Sequence, residues 1–209
     1  MSVAEEQITK LFKTRRTVMQ MLRDRGYSVD DSDINMTRQQ FVDKFGENVY
    51  LKRDDLLIRS SKGDAPTDQI YVFFPADQKV GVPMVRNCAK QMKNDNVFNA
   101  ILVVQKVLTA PAKQAVAEMN SSFFHMEVFE EAELLCNITE HMFVPEHTVL
   151  KDEEKKDLLK KFRVKETQLP RILVSDPVAK YYGMKRGQVV RITRQSATAD
   201  TYETYRYAV

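Results

Sequence analysis

AILVV, residues 100–104, is an unbroken apolar segment rich in aliphatic and β-branched side chains. Such a segment is typical of a strand buried on both faces, at the centre of a sheet that is covered by helices. Upstream, QIYVFF at 69–74 predicts a second strand, which Pro75 ends. Shorter apolar segments at 56–58 and 123–129 predict two further strands.

Helices are predicted around these strands. Apolar residues at helical spacing, with suitable capping and first-turn residues, predict four of them: Ile8–Leu22, a helix that follows the Thr37–Gln40 capping box and ends near Gly46, one that begins at Pro83 and one that begins at Pro111. Strands that alternate with helices predict an α/β layer with some parallel pairing. We therefore predict a mixed sheet flanked by helices in the first part of the chain.

Beyond residue 150 the chain becomes basic. Residues 151–209 contain 14 Lys/Arg and 8 Asp/Glu, a net charge of +6, whereas residues 1–150 contain 18 and 21, a net charge of −3. The tail has helix patterns at Asp152–Phe162 and after Asp176-Pro177, and alternating strand patterns at 188–194 and 202–207. These patterns predict a small α+β domain with an antiparallel sheet. Its charge favours an anionic partner, either nucleic acid or an acidic protein surface.

Composition excludes several classes of protein. With 43% hydrophobic and 29% charged residues the chain is expected to fold, and no segment approaches the ~20 apolar residues of a membrane helix. The polar start, Met1–Lys10, does not have the pattern of a secretory peptide. Cys88 and Cys136 lack CxxC spacing, so we expect reduced thiols in an intracellular protein.

No catalytic motif is recognisable. A P-loop, a dinucleotide-binding glycine fingerprint and a nucleophile elbow are all missing from the sequence, and the spacing of the three histidines matches no familiar zinc site. Asp68, Asp77 and Lys79 superficially resemble the acidic residues and lysine of a metal-dependent nuclease, but solvated turn charges are the better interpretation. We therefore expect no catalytic residue, metal or cofactor.

Two regions are candidates for nucleic-acid or protein contact. Thr109–Lys113 connects the central strand to a helix, where free backbone N–H groups favour a phosphate and Lys113 adds a positive charge. An ordinary strand-to-helix turn explains the same residues. In the tail, tyrosines are interspersed with arginines, which is typical of protein interfaces but also of a small core.

Longer motifs resemble a known family. In the tail they are QLPRI (168–172), SDPVAKYYG (175–183), KRGQVV (185–190), NITEH (137–141) and VPEH (144–147). In the larger part they are DRGY (24–27), VFFP (72–75), KVGV (79–82) and ILVVQ (101–105). These motifs resemble those of the shared fifth subunit of eukaryotic DNA-directed RNA polymerases, and the tail alone is similar to the H subunit of archaeal RNA polymerase.

The resemblance implies an architecture and a role. Residues 1–140 would form an N-terminal jaw domain with an inactive, nuclease-like α/β fold, and residues 141–209 a C-terminal assembly domain that docks on the largest polymerase subunit. The chain would be a non-catalytic structural subunit of polymerases I, II and III in the nucleus. Its partners would be other polymerase subunits and, weakly and within the complex, downstream double-stranded DNA, with no membrane, cofactor or small-molecule substrate.

The resemblance also implies site residues. The jaw loop that approaches DNA falls on Thr109, Ala110, Pro111, Ala112 and Lys113, with its proline one place later than in the family pattern. In the tail, the candidates for contact with the largest subunit are His147, Arg171, Asp176, Tyr181, Lys185, Arg186, Arg194 and Arg206. Gln195–Asp200 departs from the family pattern, so a paralogue specialised for one polymerase is an alternative. A free-standing nucleic-acid-binding protein is another.

Overall fold

The computed structural model describes residues 3–63, 65, 67–121, 123–196 and 200–209. The chain divides into two compact units, Met1–Cys136 and Asn137–Val209, which we call the N-terminal and C-terminal units. This division falls slightly before the boundary that we predicted after residue 140. The reason is that Ile138–Glu140 forms a 3-10 helix that contacts the helix Pro177–Tyr181 of the C-terminal unit.

The N-terminal unit contains a four-stranded sheet and five α-helices among its described residues. In chain order these are α1 (Val3–Asp24), α2 (Asp31–Ile34), α3 (Arg38–Phe45), β1 (Ile58–Ser61), β2 (Gln69–Phe73), α4 (Val82–Asn94), β3 (Asn99–Val104), α5 (Ala110–Asn120) and β4 (His125–Glu130). The strand order is β1-β2-β3-β4, with β1 antiparallel to β2 and the other pairs parallel. The predicted mixed sheet with flanking helices is confirmed.

The central strand is β3, as predicted from its apolar sequence. Its residues Ala100 to Val104 are all buried. Leu102 and Val104 belong to the core cluster that includes residues of α4 and α5. Because side chains alternate along a strand, Ile101 and Val103 point to the opposite face, where they are also fully buried.

Local capping determines several helix boundaries. The hydroxyl oxygen of Thr37 accepts a hydrogen bond from the backbone N–H of Gln40, and the Gln40 side-chain oxygen accepts one from the backbone N–H of Thr37. This is the predicted capping box, and it opens α3. Pro83 and Pro111 each stand one residue inside their helices rather than at the first position.

Two strand predictions were wrong in their bounds. Leu56 lies in a 3-10 helix, Arg53–Leu56, so β1 begins only at Ile58. Phe123 lies outside β4 and is 89% exposed. Both positions were predicted to be strand residues only because they are apolar. Leu56 is buried by a 3-10 helix instead, and Phe123 is exposed to solvent.

The outer side of β4 is closed by a side chain at one position. Asn120, the last residue of α5, donates from its amide nitrogen to the carbonyl oxygen of Met126 at 3.0 Å. Its amide oxygen accepts from the backbone N–H of Met126 at 2.7 Å. One amide therefore occupies the hydrogen-bonding groups that a neighbouring strand would otherwise bind.

The C-terminal unit is built on a second four-stranded sheet. Its elements are β5 (Glu146–Val149), α6 (Asp152–Phe162), β6 (Arg171–Ile172), α7 (Pro177–Tyr181), β7 (Val189–Ser196) and β8 (Asp200–Ala208). The strand order is β5-β7-β8-β6. β5, β7 and β8 are antiparallel as predicted, but β6 pairs with β8 in parallel, which the prediction of an antiparallel sheet did not include.

The two faces of this sheet are covered by different helices. Leu158 of α6 packs with Val189 and Leu150 in one cluster. Ala179 of α7 packs with Val190 and Ile192 in the other. Residues 197–199, which belong to the segment Gln195–Asp200 that departs from the family pattern, lie outside the described residues. Within the described part of the chain, no helix combines the length and apolar character needed to cross a membrane.

Candidate functional site

The predicted DNA-proximal loop forms the first turn of α5 and the residue before it. The backbone N–H and the hydroxyl of Thr109 both donate to the carbonyl oxygen of Val80, at 3.2 and 3.3 Å. Ala110, Pro111 and Lys113 are exposed, whereas Ala112 is fully buried. The loop therefore presents three of its five residues to solvent, and Thr109 anchors it to the segment that precedes α4.

A third hydrogen bond joins the same two segments. The side-chain amide of Gln105, after β3, donates to the carbonyl oxygen of Ala76, after β2, at 2.7 Å. Lys79 and Lys106 lie in these loops and are exposed, as is Lys113. We call these three lysines the basic loop edge. Asp77 is the acidic residue beside them, so the edge carries net positive charge.

Sequence reasoning had missed most of this edge. It assigned Lys113 alone to DNA contact, considered Lys79 only for nuclease chemistry, and did not consider Lys106. A signal was present nonetheless, because the carboxyl ends of parallel neighbouring strands lie at one edge of a sheet. The loops that follow the neighbouring parallel strands β2 and β3 are therefore expected to lie close together.

The nuclease alternative lacks its geometry. Asp68 lies before β2, where its carboxylate accepts from Asn99 at 2.8 Å and pairs with Lys62 at 2.7 Å. Asp77 and Lys79 lie beyond the other end of β2. A five-residue strand separates the two positions by roughly 17 Å, at about 3.3 Å per residue. The structure therefore does not bring the three residues together.

Histidine and cysteine side chains are dispersed. His125 lies on β4, His141 in a loop and His147 on β5, and the described residues contain no group of three His, Cys, Asp or Glu placed to hold a metal ion. Burial raises the pKa of the Cys88 thiol to about 12, which suppresses the reactive thiolate. Cys136 is exposed and free.

In the C-terminal unit, four of the eight interface candidates lie together. His147 is opposite Ile192, and Arg206 is opposite Val190, so alternation places His147, Arg194 and Arg206 on one face of the sheet. Asp176 approaches the same group while its side chain caps α7 by accepting from the N–H of Val178 at 2.9 Å. We call this group the His147 face.

Electrostatics on this face favours a neutral histidine. Burial, with Arg194 and Arg206 nearby, lowers the pKa of His147 below its ordinary value. The carbonyl of Pro145, at 2.7 Å from Nδ1, and the carboxylate of Asp176 oppose this effect only in part. Near neutral pH the face therefore carries two arginine charges against one aspartate charge.

The other four candidates lie elsewhere. Tyr181 is only 3% exposed, so its prediction as an interface residue was wrong: its ring is part of the core of the unit. Arg171 pairs with Tyr207 and so lies on the opposite face of the sheet from His147. Lys185 and Arg186 are exposed in the turn before β7. Helix patterns and strand alternation alone did not separate Tyr181 from the surface residues.

Two exposed apolar residues were not predicted. Met142 and Phe143 are 86% and 80% exposed, in the loop between the 3-10 helix Ile138–Glu140 and β5. Adjacent large apolar side chains in contact with water are typical of interaction surfaces. The sequence did contain a signal, because two apolar residues stand together in a segment that Pro145 prevents from forming a regular element.

Comparison with known proteins gives two matches to protein-family models. One is described as RNA polymerase Rpb5, N-terminal domain, and matches residues 5–92; the other is RNA polymerase Rpb5, C-terminal domain, and matches residues 136–208. They fall in order on the two structural units.

Individual relatives match along nearly the whole chain. The sequence is 51% identical to the DNA-directed RNA polymerase subunit 5-like protein 1 of Arabidopsis thaliana, over the full length of both chains. It is 45% identical to the DNA-directed RNA polymerases I, II, and III subunit RPABC1 of Caenorhabditis briggsae, with 96% of each chain covered. It is 41% identical to the DNA-directed RNA polymerases IV and V subunit 5B of A. thaliana, over 94% of this chain and 88% of the relative.

Proposed function

The chain belongs to the RNA polymerase Rpb5 family, and from this premise we propose that it is a structural subunit of the nuclear DNA-directed RNA polymerases I, II and III. The observation that carries the proposal is the match of both family models, in order, together with full-length relatives that are named as polymerase subunits. We propose a location in the nucleus for the same reason.

A specialised paralogue is the second candidate. It is favoured by 51% identity to a relative named subunit 5-like and by 41% identity to a subunit of polymerases IV and V. The two candidates differ in which largest subunits co-purify with the tagged chain. Recovery of the largest subunits of polymerases I, II and III supports the shared subunit, whereas recovery of a single one supports the paralogue.

The proposed role is non-catalytic. The N-terminal unit would serve as a rigid jaw, with a nuclease-like arrangement of helices around a mixed sheet. In support, Asp68 is engaged with Lys62 and Asn99 at the far end of β2 from Asp77. On this proposal, nucleotide chemistry belongs to other subunits of the complex.

The C-terminal unit would dock on the largest subunit through the His147 face. Arg194 and Arg206 are exposed there, and the loop that precedes β5 presents Met142 and Phe143. Positive charge beside apolar side chains fits a protein surface that carries acidic residues and an apolar pocket.

The docking proposal predicts the result of reversing charge on this face. We expect the full-length Arg194→Glu/Arg206→Glu variant to fold normally and to lose roughly tenfold or more of its recovery with the largest subunit, because like charges repel across an interface. The measurement is affinity purification of the tagged chain, with the largest subunit quantified by mass spectrometry.

The matched control reverses two charges on α6. Lys160→Glu/Lys161→Glu changes the net charge by the same amount on an exposed helix, and we expect wild-type recovery of the largest subunit. Equal loss in both variants would show that net charge, not the His147 face, determines docking. Unchanged recovery of the Arg194→Glu/Arg206→Glu variant would contradict the proposed face.

The N-terminal unit would contribute the basic loop edge to the path of downstream DNA. Lys79, Lys106 and Lys113 are exposed, and the N–H groups at the start of α5 receive no side-chain cap from Thr109. Exposed lysines at a helix N-terminus favour phosphate. Such contacts are independent of sequence, which suits DNA that moves past the enzyme.

This proposal predicts a change in salt dependence. In reconstituted polymerase, we expect Lys79→Ala/Lys106→Ala/Lys113→Ala to lower the salt slope of DNA binding by about 0.9 for each lysine that contacts a phosphate. All three side chains are exposed, so we expect the fold and the melting temperature to be retained.

The control removes three lysines from α6. Lys156, Lys160 and Lys161 are exposed, and their replacement by alanine removes the same charge from the other unit. We expect that variant to keep the wild-type slope. If the Lys79/Lys106/Lys113 variant also keeps the wild-type slope, the basic loop edge does not contact DNA.

A further inference from the structure

The outer edge of β5 is open. β5 is an end strand of its sheet and pairs with β7 alone among the described residues. The backbone N–H of Leu150 donates to the carbonyl of Val189, directly opposite in the register, at 2.9 Å. In an antiparallel pair, backbone groups of successive residues point alternately toward the partner and away from it. Glu146 and Thr148 therefore face β7, while His147 and Val149 direct their N–H and C=O groups outward.

These outward groups have no protein partner in the described part of the chain. No described residue forms a hydrogen bond to the backbone N–H or C=O of His147 or Val149. The side chain of His147 turns back instead and contacts the carbonyl of Pro145. Four backbone groups along one short strand are thus available to another chain.

The surroundings of this edge indicate what it would bind. Arg194, on neighbouring β7, lies on the same face of the sheet as His147 and is exposed. Met142 and Phe143 are exposed in the loop that leads into β5. A strand added beside β5 would thus have a positive charge for an acidic side chain and two apolar side chains near its end.

We propose that β5 takes up an extended, acidic segment of the largest polymerase subunit as a fifth strand of the C-terminal sheet. This inference rests on the proposed function and adds the mode of docking to it. Backbone hydrogen bonds from His147 and Val149 fix the added strand, Arg194 pairs with an acidic residue on it, and Met142 and Phe143 pack against an apolar one. Strand addition gives affinity through the main chain and specificity through alternate side chains.

Amide hydrogen exchange tests the proposal in the intact protein. We compare the full-length chain alone with the same chain in purified polymerase, and we expect exchange at His147 and Val149 to be at least tenfold slower in the polymerase. Thr148 is the internal reference, because its N–H already faces β7 and is protected in both states. Unchanged exchange at His147 and Val149, in polymerase that contains the chain, would overturn strand addition but leave the proposed function intact.

Two other outcomes would also contradict strand addition by the largest subunit. If the chain never co-purifies with polymerase, the proposed function and this inference both fail. If the isolated chain becomes protected at His147 and Val149 as its concentration rises, a second copy pairs with β5, and the largest subunit is not the occupant. These outcomes are distinguishable, because the first is read from subunit recovery and the second from the concentration series.

A proline substitution tests the edge by a second route. Val149→Pro removes an outward N–H and none of the bonds to β7, so we expect recovery of the largest subunit to fall about tenfold or more. Val149→Ala keeps the N–H while removing the side chain, and we expect it to retain wild-type recovery. Equal recovery of the largest subunit with the two variants contradicts the proposal. If Val149→Pro lowers the melting temperature, the hydrogen-exchange experiment on the wild-type chain provides the test instead.

Discussion

Replacement of Val103 by aspartate should unfold the N-terminal unit under conditions in which the wild-type chain is folded. Val103 has no exposed surface and lies on β3, opposite Phe129 of β4. A carboxylate there has no partner and must either lose its hydration or take up a proton, at a cost of several kcal/mol. Because the total stability of a domain is about 5–15 kcal/mol, such a loss removes most of it.

Thermal unfolding followed by circular dichroism measures this effect. Val107→Asp is the matched control, since Val107 lies three residues beyond the end of β3 and is 48% exposed. We expect the control to melt like the wild type. A Val103→Asp chain that also melts normally would show that β3 is not the centre of the core.

Replacement of Glu131 by alanine should be far more damaging than replacement of an exposed charged residue. Its partner, Arg53, is only 3% exposed, and Arg53 Nε has no hydrogen-bond partner among the described residues. The pair connects the 3-10 helix before β1 to the 3-10 helix after β4. Removal of Glu131 leaves a buried charge unpaired, and we expect a loss of about 3–5 kcal/mol in the free energy of unfolding.

Chemical denaturation of three variants separates this pair from ordinary ion pairs. Glu6→Ala breaks an exposed i,i+4 pair with Lys10 on α1, and we expect little change in the free energy of unfolding because water screens that pair. Arg53→Met/Glu131→Leu removes both charges, so most of the lost stability should return. If Glu131→Ala costs no more than Glu6→Ala, the pair contributes no more than a surface interaction.

Local patterns were sufficient to predict most of the elements. The apolar run at 100–104 identified the central strand, and Thr37 with Gln40 identified the start of α3, because strand burial and helix capping depend on adjacent residues. The parallel pairing of β6 was not predictable in this way. Arg171–Ile172 is too short for a periodic pattern, and its direction is set by contact with β8, far along the chain.

Prediction of the sites was limited by register and topology. The sequence motifs indicated both His147 and Arg206 as candidates for contact with the largest subunit. Only the pairing of β5, β7 and β8 shows that the two residues lie on one face of the sheet. The same pairing places Arg171 on the other face. The loops that carry Lys79 and Lys106 lie together because β2 and β3 are parallel neighbours, and a hydrogen bond joins the two loops. No short sequence motif reveals this arrangement.

The amide of Asn120 has a consequence for the ageing of the protein. Asn120 is followed by a small residue, Ser121, and hydrolysis of its side-chain amide, in which water enters and ammonia leaves, would convert it to aspartate. Aspartate still accepts the N–H of Met126, but it has no N–H to give to the Met126 carbonyl. A carboxylate oxygen of residue 120 would then face the carbonyl oxygen of Met126. Their repulsion would free the backbone of β4 to pair with a strand of another molecule. Deamidation of one side chain would thus convert a protected edge strand into a site of aggregation.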